Sequence, residues 1–260
     1  MTLSYLSHRV VIASAALFLF IENAILLQLP VDYLMAIFAF GITLTAYLVP
    51  QEFKWQPVAL LPLSLFIGSL LATCWLLSYL DPLQFWPILM AATCLLVAYR
   101  FKVFNGYSLR NHPATKGTTI AFCWTMTTVG MLFSLHRGTT YDLNLYMLTS
   151  AINFSLVLTL SWLCDVADRH HDTQHGLRSI ATALGSKKTM IASAICATSA
   201  MLVVVLFGHE HHQFMLSASI AVLVVLVSML AVNRFPATPA KWMVDALLLC
   251  KPMLVIWLLG

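Results

Sequence analysis

The feature that most constrains this chain is a run of about 20 apolar residues that recurs from one end to the other. Of the 260 residues, 60% are hydrophobic and only 9% are charged, and the mean hydropathy is +0.87. A helix needs about 20 apolar residues to cross the hydrocarbon core of a bilayer. We therefore expect an all-α, polytopic membrane helical bundle that forms a single domain over residues 1–260. The nine predicted spans are roughly 10–29, 31–49, 57–79, 83–99, 118–136, 142–163, 189–208, 213–232 and 241–259.

Lys and Arg are distributed unequally between the two sides of the predicted bundle. With nine spans, the N-terminus and the loops after spans two, four, six and eight share one side, and every basic residue except Arg137 and Lys251 falls there. Loops rich in Lys and Arg are retained in the cytoplasm, so we expect this side to be cytoplasmic and the membrane to be a bacterial inner membrane. The net charge of +4 then reflects topology, and no nucleic-acid partner is expected.

One polar break, DVADRHHDTQHGLRSIATALG at 165–185, concentrates charged and imidazole side chains. If span six continues as a helix into this break, Asp165, Asp168 and Asp172 lie within about 60° of one another on one face. Three carboxylates so close repel one another unless a cation sits among them. Oxygen ligands at this spacing suit Mg²⁺, which takes one or two carboxylates together with waters and phosphate oxygens.

Basic residues near this break allow two interpretations. In the first, Arg169 and Arg178 neutralise an acidic helix end as solvated salt bridges. In the second, Arg178 holds a phosphate oxygen and Gly176 lets the backbone turn close to a ligand. The break between spans four and five adds Arg110 and Lys116, which either retain that loop in the cytoplasm or help to form a cleft for Mg²⁺ and a diphosphate.

The acidic break resembles the second aspartate-rich motif of the UbiA superfamily of intramembrane prenyltransferases, D-x-x-D-x-x-x-D-x-x-x-G-x-[KR]-T-L followed by L-G. Its departures are Ser179 in place of Thr and Ile180 in place of Leu. The stretch LRNHPATKG at 109–117 is similar to the L-[RK]-x-x-P-x-x-K segment that opens the fifth helix in some members. Nine helices with polar loops after helices two, four and six also match that family, so the resemblance covers essentially the full chain.

This resemblance implies a UbiA-like bundle around a central cavity, capped on the cytoplasmic side, that binds an isoprenyl diphosphate. Mg²⁺ on the diphosphate stabilises the leaving group while the prenyl group moves to a membrane-phase acceptor. The site residues that it implies are Asp165, Asp168, Asp172 and Glu52 for the metal, with Asp168 and Asp172 catalytic, and Arg110, Lys116 and Arg178 for the diphosphate.

The chain departs from the family where a first acidic motif, N-D-x-x-D, is expected just after span two. The corresponding stretch is TAYLVPQEFKW, in which Leu48 and Val49 replace the Asn-Asp pair and only Glu52 remains acidic. Three functions therefore stay open: a Mg²⁺-dependent prenyltransferase, a terpene cyclase with the same metal trigger, and a non-catalytic member that binds an isoprenoid lipid or a partner.

Three charged residues fall inside predicted spans, where charge is costly. They are Glu22 in the first span and Asp245 and Lys251 in the ninth. The sequence allows Lys251 to pair with either carboxylate, or these charges to contact a substrate.

Overall fold

The computed structural model is helical throughout the part of the chain that it describes, and no strand occurs there. The described residues are 3–48, 82–100, 108–136, 142–208 and 210–259, with isolated positions between 67 and 75. They form α1 (Leu3–Leu26), α2 (Tyr33–Leu48), α3 (Pro82–Arg100), α4 (Pro113–Leu135), α5 (Leu143–Gln174), α6 (Ile180–Leu184), α7 (Ser186–Phe207), α8 (His212–Arg234) and α9 (Ala237–Leu259). The predicted all-α bundle is confirmed.

The helices also confirm the membrane prediction. Among the described residues, six helices are long and apolar enough to cross a bilayer, and α2 and α3 contain shorter apolar segments, Tyr33–Leu48 and Met90–Tyr99. Eight of the nine predicted spans coincide with these helices, while the third, 57–79, lies almost entirely outside the described residues. The protein is a multi-pass integral membrane protein.

Helix α5 lies at the centre of the bundle, where it packs against α4, α7, α8 and α9. Helix α1 packs against α2 and α9, and its alanines at 13, 15 and 16 are fully buried. Small side chains let helix backbones approach closely, which is how helices associate in lipid without a hydrophobic driving force. Large apolar side chains such as Ile195, Leu202 and Phe207 cover the exposed face of α7, as expected of a lipid-facing helix.

Helix α5 is much longer than the span predicted at 142–163, because it continues to Gln174. Gly176 ends it with a φ of +65°, a left-handed conformation that glycine adopts without steric cost. The Leu177 amide then donates to the Asp172 carbonyl at 2.8 Å, which satisfies an otherwise unpaired carbonyl of the last turn. The acidic residues therefore lie on a helix, as the spacing argument required.

A π-helical segment at Met126–Gly130 interrupts α4, and the sequence analysis did not predict it. The Thr128 hydroxyl donates to the Trp124 carbonyl at 2.9 Å, and such bonds to the preceding turn perturb helix geometry. The Thr128 backbone carbonyl accepts a hydrogen bond from the side-chain amide of Asn23 in α1 at 3.4 Å. The side-chain amide of Asn153 in α5 in turn donates to Asn23 Oδ1 at 2.7 Å. Buried polar groups thus connect α1, α4 and α5 inside the bundle.

A second buried network joins the first helix to the last two. Lys251 of α9 and Glu22 of α1 are both fully buried and form an ion pair. Ser217 of α8 donates to Glu22 Oε1 at 2.7 Å and accepts from the Lys251 ammonium at 2.9 Å. Lys251 therefore pairs with Glu22 and not with Asp245, which is paired with His8 instead.

We expect Lys251→Met to destabilise the protein strongly, because it leaves the Glu22 carboxylate charged and unpaired inside the bundle. Loss of one partner from a buried pair costs about 3–5 kcal/mol, whereas removal of both charges is often nearly neutral. The double variant Glu22→Gln/Lys251→Met should recover most of the lost stability. Thermal unfolding in detergent micelles would measure this, with exposed Lys188→Met as the control. Equal melting temperatures for Lys251→Met and the wild type would contradict the argument.

Candidate functional site

Charged side chains form one cluster at the last turns of α5. Asp165 and Asp172 are buried there and both face Lys116, in the first turn of α4. The Lys116 ammonium lies 2.5 Å from Asp165 Oδ1 and 3.8 Å from Asp172 Oδ2. A lysine therefore lies where the spacing of the carboxylates requires a cation, and it is one of the predicted diphosphate-binding residues.

Asp168 points away from this pair and forms an ion pair with a lysine of α9. Its Oδ2 lies 2.6 Å from the ammonium of Lys241, near the start of α9, and both side chains remain partly exposed. The three aspartates thus divide between two lysines, and within the described ranges no group of three His, Cys, Asp or Glu residues could hold a metal ion. The structure brings Asp165, Asp172 and Lys116 together, with Asp168 one turn away on the side facing α9.

Two other predicted site residues, Arg110 and Arg178, lie on the segments next to Lys116 and to the end of α5. Arg110 is half-buried in a 3₁₀ turn, Leu109–Asn111, that leads into α4, and Arg178 is exposed in the turn after α5. Neither forms an ion pair with an aspartate among the described residues. Arg169 donates to Ser186 Oγ at 3.3 Å instead of neutralising the acidic face. Glu52 lies outside the described residues.

Comparison with known proteins identifies the family. The sequence profile of the UbiA prenyltransferase family matches residues 58–250. This chain belongs to the UbiA family. No sequence match to a curated protein was found.

A solved structure supports the same fold. The apo structure of a UbiA homolog from Aeropyrum pernix K1 superposes with a TM-score of 0.67 at 15% sequence identity, and the match covers 95% of this chain and 97% of that chain. At this identity the likeness shows the fold alone. The UbiA-like bundle predicted from the sequence is confirmed.

In this UbiA family member the segment before α4 fixes the position of Lys116. The His112 side chain accepts from the Ala114 amide at 3.3 Å as the N-cap, and Pro113 occupies the first turn, where a missing N–H costs nothing. The Thr115 hydroxyl donates to the Leu109 carbonyl at 2.7 Å. The proline and lysine of the LRNHPATKG stretch are therefore parts of a helix start that aims Lys116 at α5.

The two departures from the second acidic motif leave its local structure intact. Ser179 is buried and caps the short helix α6, where its hydroxyl accepts from the Thr182 amide at 3.4 Å. The Thr182 hydroxyl accepts in return from the Ser179 amide at 2.9 Å, which completes a capping box. Serine supplies the same hydroxyl as threonine, and Ile180 follows it as the first residue of α6.

Lys241 is the site residue that the sequence analysis missed. It was assigned only to the basic side of the membrane, since no sequence spacing connects the start of α9 with the end of α5. The pairing depends on how α9 packs against α5, which is a property of the tertiary fold.

Close packing beside the Lys116 pair depends on Gly117. A Cβ atom added there would lie 2.9 Å from Trp162 Nε1 and 3.0 Å from Trp162 Cδ1, distances that force the indole or α4 to move. Gly130, the last residue of the π segment of α4, has room for a Cβ, whose nearest neighbour would be Ile88 Cδ1 at 3.4 Å. Gly117 therefore allows α4 to approach α5 where the charges meet.

We expect Gly117→Ala to lower the melting temperature and Gly130→Ala to leave it unchanged or raise it slightly. Alanine gains about 1 kcal/mol of helix propensity at either position, but only at 117 does the new methyl group collide with a neighbour. Thermal unfolding of both variants in detergent measures the difference. A Gly117→Ala protein as stable as Gly130→Ala would show that the indole yields at no cost.

Proposed function

We propose that this protein is a Mg²⁺-dependent UbiA-type prenyltransferase that moves a prenyl group from an isoprenyl diphosphate to a membrane-phase acceptor. Membership of the family supports a prenyltransferase-like activity. The observation that carries the proposal is the end of α5, where Asp165 and Asp172 face the Lys116 ammonium beside Asp168. Carboxylates for a metal and a cation for a phosphate thus lie side by side at one end of the bundle.

The carboxylates of α5 suit Mg²⁺ as ligands. Asp165 Oδ2 and Asp172 Oδ2 are buried and accept no hydrogen bond within the described structure. The Lys116 ammonium bonds to the other oxygen of Asp165 and lies 3.8 Å from Asp172 Oδ2. Buried oxygens with free lone pairs can ligate a hard cation, and Mg²⁺ needs only one or two protein carboxylates when waters and phosphate oxygens complete its shell. Asp165 and Asp172 would hold the ion; Asp168 would join them only after leaving Lys241, and Glu52 is a fourth candidate. Bound there, the ion would supply positive charge to the departing diphosphate.

The basic residues of this chain would bind and orient the donor. Lys116 and Arg110 approach from the start of α4, and Arg178 follows the end of α5. Their charges would offset the negative charge that develops on the diphosphate as the allylic carbon–oxygen bond breaks and its electron pair leaves with oxygen. The acceptor then donates an electron pair to the allylic carbon and loses a proton.

The donor head group would lie on the cytoplasmic side of a bacterial inner membrane, with its apolar chain among the helices of one domain.

We expect Asp168→Asn and Asp172→Asn each to remove at least about tenfold of the Mg²⁺-dependent affinity for geranyl or farnesyl diphosphate, because each deletes a charged oxygen ligand. Binding to the purified protein would be measured with Mg²⁺ and with EDTA. The control is Asp142→Asn at the other end of α5, where Asp142 accepts from the Asn144 amide at 2.9 Å and asparagine caps a helix equally well. Unchanged binding in both test variants, with and without EDTA, would refute the Mg²⁺ assignment.

The degraded first motif favours a second candidate, a member that binds an isoprenoid diphosphate or lipid without chemistry. Leu48 ends α2 as a buried apolar residue at the place of the motif's Asn, so this side of the site offers no ligand there. A terpene cyclase differs from both candidates because it would convert a prenyl diphosphate without any acceptor.

Restoring the first motif should separate an active enzyme from a disarmed one. The variant Leu48→Asn/Val49→Asp/Glu52→Asp rebuilds N-D-x-x-D in place. If the second motif supports transfer with Glu52 as a surviving ligand, the wild type releases diphosphate from a panel of prenyl diphosphates with an acceptor present, and Glu52→Gln lowers its turnover several-fold. An inactive wild type with an active rebuilt protein would replace the transferase proposal by the binding one.

A further inference from the structure

The second positive group of this site comes from the last helix. Lys241 lies near the start of α9 and places its ammonium 2.6 Å from Asp168 Oδ2, whereas Lys116 reaches Asp165 from the start of α4. Helices α4 and α9 both pack against α5, so two ammonium groups approach the acidic face of one helix from two different neighbours. Asp168 lies about 60° around the helix from Asp165, on the side that faces α9.

The two ion pairs differ in how firmly their lysines are held. Asp165 retains only 4% of its side-chain exposure, and Lys116 also lies within reach of a second carboxylate, that of Asp172. The Lys241 and Asp168 side chains retain 35% and 26%. A partly exposed pair contributes little stability, and a lysine side chain has a flexible four-carbon stem. Lys241 can therefore exchange Asp168 for another anion at little cost.

The start of α9 is anchored without Lys241. Asp245, one turn further along, is paired with His8 of α1, and the His8 and Trp242 rings meet edge to face at 4.9 Å between centroids. Helices α1 and α9 also pack along their length. Replacing Lys241 should therefore leave the backbone of α9 in place, which separates the role of its charge from a role in folding.

We infer that Lys241 is a diphosphate-binding residue, whose ammonium is held by Asp168 in the free protein and transfers to a phosphate oxygen when the donor binds. This inference rests on the proposed function, since it assigns a residue of another helix to the same site. An ammonium group aimed at phosphate would add charge-assisted binding in a chain whose first acidic motif has been reduced to Glu52.

The first test measures the affinity of the full-length protein for inorganic pyrophosphate in the presence of Mg²⁺, by calorimetry in detergent. Lys241→Met should weaken binding about tenfold, and Lys241→Arg should remain within about threefold of the wild type. Lys188→Met, an exposed lysine at the start of α7, is the matched control and should bind as the wild type does. Wild-type affinity in Lys241→Met would overturn the inference.

The second test repeats the titration in EDTA, where only the protein's own cations bind pyrophosphate. Asp168→Asn should tighten binding, because it frees the Lys241 ammonium and removes a negative charge, and the double variant Asp168→Asn/Lys241→Met should lose that gain. If Asp168→Asn gives no gain, or if the gain survives in the double variant, Lys241 does not bind the anion. A wild type whose affinity shows no Mg²⁺ dependence would refute the proposed metal-dependent function, while the EDTA titration would still decide the role of Lys241.

Discussion

A charged side chain inside a bilayer has no water to solvate it, so it must find its partner within the protein. Glu22 and Lys251 meet this requirement with each other and with Ser217, and the three residues come from α1, α8 and α9. The interaction thus joins the beginning of the chain to its end. Since α1 and α9 also carry the pair formed by His8 and Asp245, their packing is fixed both inside the bundle and near the acidic cluster.

The same constraint shapes the site at the end of α5. Burial of Asp165 and Asp172 is tolerable because Lys116 lies between them, and Gly117 gives α4 the close approach that this geometry needs. Poor solvation also strengthens any interaction with a ligand, because charges interact more strongly where water is scarce. Under the proposed function, a cation bound to these carboxylates would weaken the hold of Asp165 on Lys116, so that the ammonium becomes available to phosphate.

The sequence predicted most of this architecture because its strongest signals are local. Apolar runs of bilayer length located eight spans that the structure describes. The argument from the spacing of Asp165, Asp168 and Asp172 depended on a helix that continues past the predicted span, and α5 does continue. The LRNHPATKG stretch also identified Lys116, because its proline and lysine lie close together in sequence at the start of α4.

What the sequence could not predict are the partners of these groups, which depend on how distant helices pack. Nothing in the local pattern distinguishes Glu22 from Asp245 as the partner of Lys251. Likewise, Asp168 was expected to share one face with the other two aspartates, but the packing of α9 gives it Lys241. The π segment of α4 also involves a distant helix, because its Thr128 backbone carbonyl accepts a hydrogen bond from Asn23 of α1.

The loss of the first acidic motif has a smaller electrostatic effect than its sequence suggests. A motif with two aspartates that holds one divalent cation carries no net charge, so losing the aspartates together with the cation changes the charge at the site only by that of the remaining Glu52. Under the proposed function, the chain would lack a second divalent cation at the diphosphate, and its ammonium groups would be the positive charges available instead. Lys116 and Lys241 are already neutralised by aspartates in the free protein. Under the proposed function, Lys116 would therefore add the most positive charge toward a ligand when a cation engages the carboxylate of Asp165, whereas the more exposed Lys241 can exchange Asp168 for the ligand directly.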